Sequence, residues 1–176
     1  MSRCDIEKVL VEEQEIKQKV CEMGAALSDA YRGSEKPPVF ICVLKGAFIF
    51  AADLVRAMDI DVEMDFLRVA SYGSGKESSG KIKFVKDIET DIDGRDVVIL
   101  EDIIDTGITL FELKKILKAR NPKSLAVAVL LNKPEGRKAD IEPDYECFEV
   151  EDRFIVGCGL DYDEKFRGLR YIACID

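Results

Sequence analysis

The sequence predicts an α/β fold built on an open, mostly parallel, doubly wound sheet, and three observations carry that prediction. Residues 39–44 (VFICVL), 97–100 (VVIL) and 125–131 (LAVAVLL) are unbroken apolar runs of strand length. Runs of this kind suit strands covered by helices on both faces, which is how parallel strands are buried. Helical spacing follows the second run, where Leu110, Leu113 and Leu117 share one face. Strands and helices in alternation give a parallel sheet with crossover connections.

Taken in order, residues 6–11 read as a short strand. Residues 12–31 read as a helix, with Ile16, Val20, Met23, Leu27 and Tyr31 on one stripe. Gly33 to Pro38 breaks it before the apolar strand 39–44. Lys45-Gly46 follows, then a helix over 47–58. Residues 62–70 alternate in part, and 81–86 alternate again, so the two pair as a long hairpin. Its tip, 71–80 (SYGSGKESSG), is polar and rich in Gly and Ser. After the helix that starts near Thr109, strand 125–131 runs into Asn132-Lys133, and 134–143 is loop. Three short strands remain, at 146–150, 154–158 and 171–175. The two ends of the chain do not fit the βα rhythm. We therefore expect one domain over 1–176, with a core of about 12–145 and a cap from about 1–11 plus 146–176.

Composition narrows the chemistry. The net charge is −9, which argues against a nucleic-acid partner, since that needs a basic surface. No apolar run approaches the roughly 20 residues that span a membrane, and the start lacks a secretion-signal core, so the expected location is cytoplasmic. The six cysteines include no CxxC pair and read as reduced, packed thiols. There is no histidine, which removes Ser-His-Asp, Cys-His and His-metal chemistry together. Acid–base work falls to carboxylates, lysines or tyrosines.

The stretch 97–110, VVILEDIIDTGITL, concentrates that chemistry. A buried strand feeds a loop bearing Glu101, Asp102, Asp105, Thr106 and Thr109, and the loop enters a helix N-terminus. Ligands of open α/β sheets bind at such strand ends, and free N–H groups at the helix start favour phosphate. The acidic residues suit sugar hydroxyls, a metal ion or a protonated base. Thr109 with Glu112 also fits a capping box, which would give Thr109 a structural role instead. Lys45-Gly46, Lys133, Asp161 and Arg167 each follow a strand as well, so parallel strands would bring all of them to one sheet edge.

These residues resemble the phosphoribosyl-pyrophosphate signature of the type I phosphoribosyltransferases: two acidic residues, two apolar ones, then Asp-Thr-Gly-x-Thr. LKGA at 44–47, SYGSG at 71–75, Lys133, and DRFIVGCGLDYDEKFR at 152–167 resemble the hypoxanthine–guanine branch, in its order and over nearly the whole chain. The resemblance implies transfer of a phosphoribosyl group from phosphoribosyl pyrophosphate to a 6-oxopurine, with Mg2+, in a homodimer or homotetramer. Glu101 and Asp102 would hold the ribose diol and help to place Mg2+, and Asp161 would bind a second Mg2+. Asp105 would be the general acid or base at the imidazole nitrogen of the purine. Thr106, Gly107 and Thr109, with neighbouring amides, would cradle the 5-phosphate, and Ile104 and Ile108 complete that binding stretch. Ile108 stands where some members carry a basic residue. Lys45 and Gly46 would meet pyrophosphate, at a non-proline cis peptide of the family, and Arg167 would meet it from the other side. Ser71 and Tyr72 would start a lid. Lys133 would donate to the exocyclic oxygen, Phe154 would stack on the ring, and the backbone around Ile155 would read its edge.

Two alternatives stay within that resemblance: a non-catalytic regulator sensing phosphoribosyl pyrophosphate, which could dispense with Asp105 and the lid, and a xanthine-preferring transferase. A two-aspartate phosphatase fits less well, because residues three apart on an extended segment point to opposite sides. A dinucleotide-binding fold wants a glycine-rich turn after its first strand, whereas Gly73 and Gly75 fall in the hairpin tip.

Overall fold

The computed structural model of the chain describes residues 6–71, with the side chain of Ser71 excepted, and 82–175. The expectations for Tyr72, for the side chain of Ser71 and for the lid tip lie outside the described residues.

Strand β2 (Val39–Val43) is buried at all five positions, as its unbroken apolar run requires. It lies at the middle of a six-stranded sheet of order β4-β3-β2-β5-β6-β7, made with β3 (Glu63–Ser71), β4 (Ile82–Lys86), β5 (Asp96–Ile104), β6 (Ser124–Asn132) and β7 (Tyr145–Glu149). Every pairing is parallel except β3 with β4, the antiparallel hairpin. Helices α1 (Glu13–Tyr31) and α2 (Phe48–Ala57) cover one face, where Leu27, Phe50 and Leu54 pack on Phe40, Val98 and Leu100. Helix α3 (Ile108–Lys118) covers the other, where Leu110, Leu113 and Leu117 pack on Ile41, Ile99 and Val127. The two cores explain the uninterrupted hydrophobicity of the central strands: alternate residues point to opposite faces, and both faces are dry.

A separate three-stranded sheet, β1-β9-β8, joins the chain ends: β1 (Ile6–Val11) and β8 (Ile155–Val156) both run antiparallel to β9 (Ile172–Ile175). β7 departs from the expected layout, since it pairs in parallel with β6 as an edge strand of the main sheet, whereas residues from 146 onward were expected in the cap. Its burial, with Cys147 inward and Glu146 and Glu149 exposed, is that of an edge strand covered on one side. Among the described residues, Cys42, Cys147, Cys158 and Cys174 are buried free thiols, and no helix is long and apolar enough to cross a membrane.

Asp65 secures the base of the hairpin. Its buried carboxylate accepts the backbone N–H groups of Phe66 (2.6 Å), Glu89 (2.8 Å) and Thr90 (2.8 Å), tying β3 to the segment beyond β4.

Candidate functional site

β5 is longer than its apolar core. The ladder with β6 continues through Glu101↔Val129 and Ile103↔Leu131 to Ile104↔Asn132, so Glu101 and Asp102 stand on the strand and not, as expected, in the loop after it. The pairing of consecutive backbone groups outweighs the local charge. Alternation then sends the two carboxylates to opposite faces. Glu101 lines a cleft of about 470 Å³ with Ile103, Ile104, Asp105, Thr106, Gly107, Thr109 and Leu110. Asp102 lines a second cleft, of about 580 Å³, with Ile103, Asp105, Lys133, Phe154, Ile155 and Asp161 among its walls. Asp105 belongs to both.

The first cleft ends on α3. Gly107 is its N-cap, at φ +75°, a left-handed conformation that glycine adopts without a Cβ penalty. The capping box expected at Thr109 is therefore not formed; Thr109 lies one residue inside the helix, with its hydroxyl-bearing side chain lining the cleft. The first N–H groups of any helix lack intrahelical acceptors, and here they border Thr106 and Thr109, a combination suited to an anion.

The loop is held from beneath by Arg137, which the sequence reading passed over. Its Nε donates to the Asp105 carbonyl at 3.2 Å, while Nη1 and Nη2 donate to the Ile141 carbonyl and to Asn132 Oδ1. The N–H groups of Lys138 and Ala139 both donate to the Thr106 carbonyl. Gly136 closes against the loop so tightly that a Cβ there would stand 2.5 Å from Asp105 Oδ1.

In the second cleft Lys133 is buried, although its Nζ reaches three oxygens: Asp152 Oδ1 at 2.7 Å, the Arg153 carbonyl at 3.2 Å and Asp105 Oδ2 at 3.5 Å. Phe154, 52% exposed, presents a ring against which the edge of Tyr162 packs, with centroids 5.3 Å apart and planes at 81°. A flat ligand could lie on that ring with Lys133 at its edge. The backbone of Ile155 is engaged with Cys174 in the cap sheet, and it forms the cleft wall beside Phe154.

Lys45 and Gly46 follow β2, and the Leu44–Lys45 peptide is cis. Gly46 has no room for a side chain: a Cβ would meet Asp102 Oδ2 at 1.5 Å. Gly159, at φ +102°, packs on the other side, where its own Cβ would come within 2.0 Å of the Gly46 carbonyl. Arg167 Nη1 donates to the Gly159 carbonyl (2.8 Å), and its Nη2 pairs with Asp161 Oδ1 (2.7 Å). Glu164, another residue passed over, links the two cations, 2.7 Å from Lys45 and 3.2 Å from Arg167.

The electrostatics of β5 suit a cation. Burial, reinforced by the neighbouring Asp102, raises the Glu101 carboxyl well above the ordinary range, and burial pushes Asp102 up to about 6. Glu101 Oε2 is buried with no hydrogen-bond partner. No group of three or more potential ligands converges as a metal cage among the described residues. Magnesium does not need one, because it keeps several waters and takes one or two carboxylates plus substrate phosphates. Glu101 and Asp102 fit that donor set.

Comparison with known proteins agrees with this geometry. Residues 9–163 match the phosphoribosyl transferase domain family. The chain is 50% identical over 171 residues to the hypoxanthine-guanine phosphoribosyltransferase of Streptococcus thermophilus, covering 97% of this chain and 94% of that one. It is 50% identical over 175 residues to the Bacillus subtilis protein of the same name, covering 99% and 96%. The crystal structure of a hypoxanthine phosphoribosyltransferase from Staphylococcus aureus superposes with a TM-score of 0.95 at 41% identity, covering 99% of this chain and 94% of that one. A Trypanosoma cruzi hypoxanthine phosphoribosyl transferase gives 0.92 at 40% identity, covering 97% and 92%. The chain belongs to the phosphoribosyltransferase family, among the hypoxanthine–guanine phosphoribosyltransferases.

Proposed function

We propose that the chain is a magnesium-dependent transferase of purine salvage, moving the phosphoribosyl group of phosphoribosyl pyrophosphate to hypoxanthine, and to guanine, with release of pyrophosphate. The observation that carries this is Asp105, which forms the shared wall of a cleft closed by a helix N-terminus and a cleft containing Lys133 and Phe154.

The roles follow from where each group stands. The 5-phosphate occupies the first cleft, against Thr106, Gly107, Thr109 and the first amides of α3, beside Ile104 and Ile108. The purine lies on Phe154, its oxo group accepting from Lys133. Three donor hydrogens on a buried ammonium favour an acceptor and oppose the amino group that adenine carries there. In the reaction the bond from the ribose carbon to pyrophosphate breaks and a bond from the imidazole nitrogen forms. Asp105, half-exposed between the clefts, takes the proton from that nitrogen. Positive charge grows on the ribose and negative charge on the leaving group, which Lys45 and Arg167 neutralise.

Glu101, Asp102 and Asp161 are the residues that would hold Mg2+ ions, which supply charge neutralisation of the pyrophosphate. On the family resemblance, Ser71 and Tyr72 would start a lid that excludes water from the reacting carbon. We assign a cytoplasmic location and a homodimer or homotetramer on the family resemblance. A sensor without chemistry needs no carboxylate at the junction of the clefts, so Asp105 beside Lys133 favours the enzyme.

The test is turnover with hypoxanthine, guanine, xanthine or adenine, phosphoribosyl pyrophosphate and Mg2+, with and without chelator. Nucleotide should form from hypoxanthine and guanine, not from adenine, and chelation should stop it. Absence of product from every base, or equal turnover of adenine and hypoxanthine, would overturn the reading.

A further inference from the structure

One acidic side chain stands where the proposed reaction requires an anion. Glu164 puts Oε1 at 2.7 Å from Lys45 Nζ and Oε2 at 3.2 Å from Arg167 Nη2, so the two cations assigned to pyrophosphate share one carboxylate. The link closes a ring, because Arg167 is also bonded to the Gly159 carbonyl and Gly159 packs on Gly46, the residue after Lys45. Arg167 Nε is buried and without a hydrogen-bond partner, leaving that guanidinium with donor capacity unused.

The backbone around Glu164 is built to hold this position. Asp163, Glu164 and Phe166 have φ of +51°, +59° and +71°, three non-glycine residues in the left-handed region within one short loop. Such conformations are uncommon and persist where surrounding contacts enforce them, often at ligand clamps. Here the Glu164 N–H donates to Asp161 Oδ2 at 2.9 Å, and a bridge joins Tyr162 to Lys165. The Lys45 ammonium, then the Arg167 guanidinium, hold the Glu164 carboxyl below its usual range, so it is anionic where the ring needs it to be.

We propose that Glu164 is the resting counter-anion of the pyrophosphate half-site, a carboxylate that pyrophosphate must displace from Lys45 and Arg167. The inference rests on the functional reading above, which assigns that pair to pyrophosphate. Both contacts are solvent-exposed, with Glu164 at 64%, and exposed ion pairs are individually weak. That weakness suits the role. A single carboxylate between two like charges offsets their repulsion, yet yields to an anion of higher charge. On release of the product it can return and compete with rebinding. Glu164 is thus a positioning residue for Lys45 and Arg167, and it sets the affinity for the leaving group.

The experiment compares binding of inorganic pyrophosphate, with Mg2+ present, to wild type, Glu164→Gln and Asp163→Asn by titration calorimetry, alongside steady-state turnover. Asp163→Asn removes the same charge from the same loop, at a carboxylate that faces Lys165 at 3.7 Å. Glu164→Gln should bind pyrophosphate roughly three- to tenfold more tightly than wild type, the scale of two exposed pairs released. Its KM for phosphoribosyl pyrophosphate should fall in parallel and its KM for hypoxanthine should stay unchanged, while Asp163→Asn should shift pyrophosphate binding by less than about twofold. Binding by Glu164→Gln that is no tighter than that of Asp163→Asn, or weaker than wild type, would overturn the inference. So would an absence of measurable pyrophosphate binding in all three. Turnover by the wild type reports separately on the function: tighter pyrophosphate binding by Glu164→Gln with no nucleotide formed by any protein would sink the catalytic reading and keep the counter-anion.

Discussion

Gly46→Ala is the sharpest perturbation that the site offers, because one methyl group acts on one carboxylate. The new Cβ would lie 1.5 Å from Asp102 Oδ2 and 2.5 Å from its Cγ, while real Cβ contacts essentially never fall under 3.0 Å, so the oxygen must retreat by about 3.0 − 1.5 = 1.5 Å. Retreat of the main chain instead is opposed by Gly159, which already touches the Gly46 carbonyl. Asp102 is short and its Oδ1 accepts the Ile103 N–H at 2.9 Å, so the carboxylate moves at the expense of that bond. Overpacking of this kind costs about 1–3 kcal/mol. At this chain length that lowers Tm by roughly 2–12 °C. The functional loss should be larger, because displacing a substrate-positioning group by about an ångström can cost on the order of a hundredfold in kcat/KM. Thermal unfolding and turnover measured on the same preparation separate the two, with Gly33→Ala as the control, since nothing lies within 4 Å of a Cβ there. A folded Gly46→Ala protein with kcat/KM within about threefold of wild type would refute the argument that Asp102 must stay where Gly46 lets it stand.

Asp105→Asn should lower kcat by about 10²–10⁴-fold while pyrophosphate binding persists, since only the proton acceptor is lost; parallel loss of binding and turnover would remove Asp105 from the acid–base role. Arg137→Met leaves the carbonyls of Asp105 and Ile141 without a donor, which should cost about 1–3 kcal/mol and raise the KM for phosphoribosyl pyrophosphate. An unchanged Tm and KM would show that the loop holds its shape unaided. For Asp65, burial raises the carboxyl, but the N–H groups of Thr90, Phe66 and Glu89 outweigh it and hold the pKa below its ordinary value. A depressed folded-state pKa contributes stability above the unfolded value, about 3.9, and that stability is lost as the pH falls through the folded value. Asp65→Asn should therefore destabilise the protein at pH 7 by about 1–3 kcal/mol, and the gap should narrow in denaturant titrations taken below about pH 4. A gap of constant size between pH 3 and 7 would contradict this.

The strands were legible because burial on both faces leaves no polar position, as in Val39–Val43. Helix α1 was legible for the opposite reason, since one stripe of Ile16, Val20, Met23 and Leu27 buries against a polar remainder. What local sequence could not carry was decided by partners distant in the chain. Glu101 and Asp102 looked like the start of a loop, yet the ladder to Val129 and Leu131 keeps them on β5. Thr109 looked like a cap, but Gly107 can take the left-handed turn two residues earlier. β7 alternates weakly and was grouped with the chain's end, although β6 offered it a parallel edge. In the site, Lys45, Asp105, Lys133, Asp161 and Arg167 were recognisable by position after strands. Arg137, Asp152 and Glu164 were not, because they work from loops without periodicity, through contacts to residues that only the fold brings near. Gly136 and Gly159 carried a faint signal, as glycines beside functional residues, but only geometry shows what each one touches.

The distribution of charge explains how so acidic a chain, at −9, can serve an anionic ligand. Each cation of the site already has a carboxylate: Lys133 has Asp152, Lys45 has Glu164, and Arg167 has Asp161 and Glu164. Ligand binding is therefore an exchange of partners, and its free energy is a difference between two sets of charge-assisted contacts instead of the sum of new ones. The reverse holds at the end of β5. Desolvation penalises the charged forms of Glu101 and Asp102. Substrate arriving with a divalent ion supplies the charge these two lack while its phosphates satisfy Lys45 and Arg167. Pyrophosphate alone would answer only the second half. An ion alone would answer only the first. Substrate and metal are thus expected to bind cooperatively, each raising the affinity for the other by the same factor, as linkage requires.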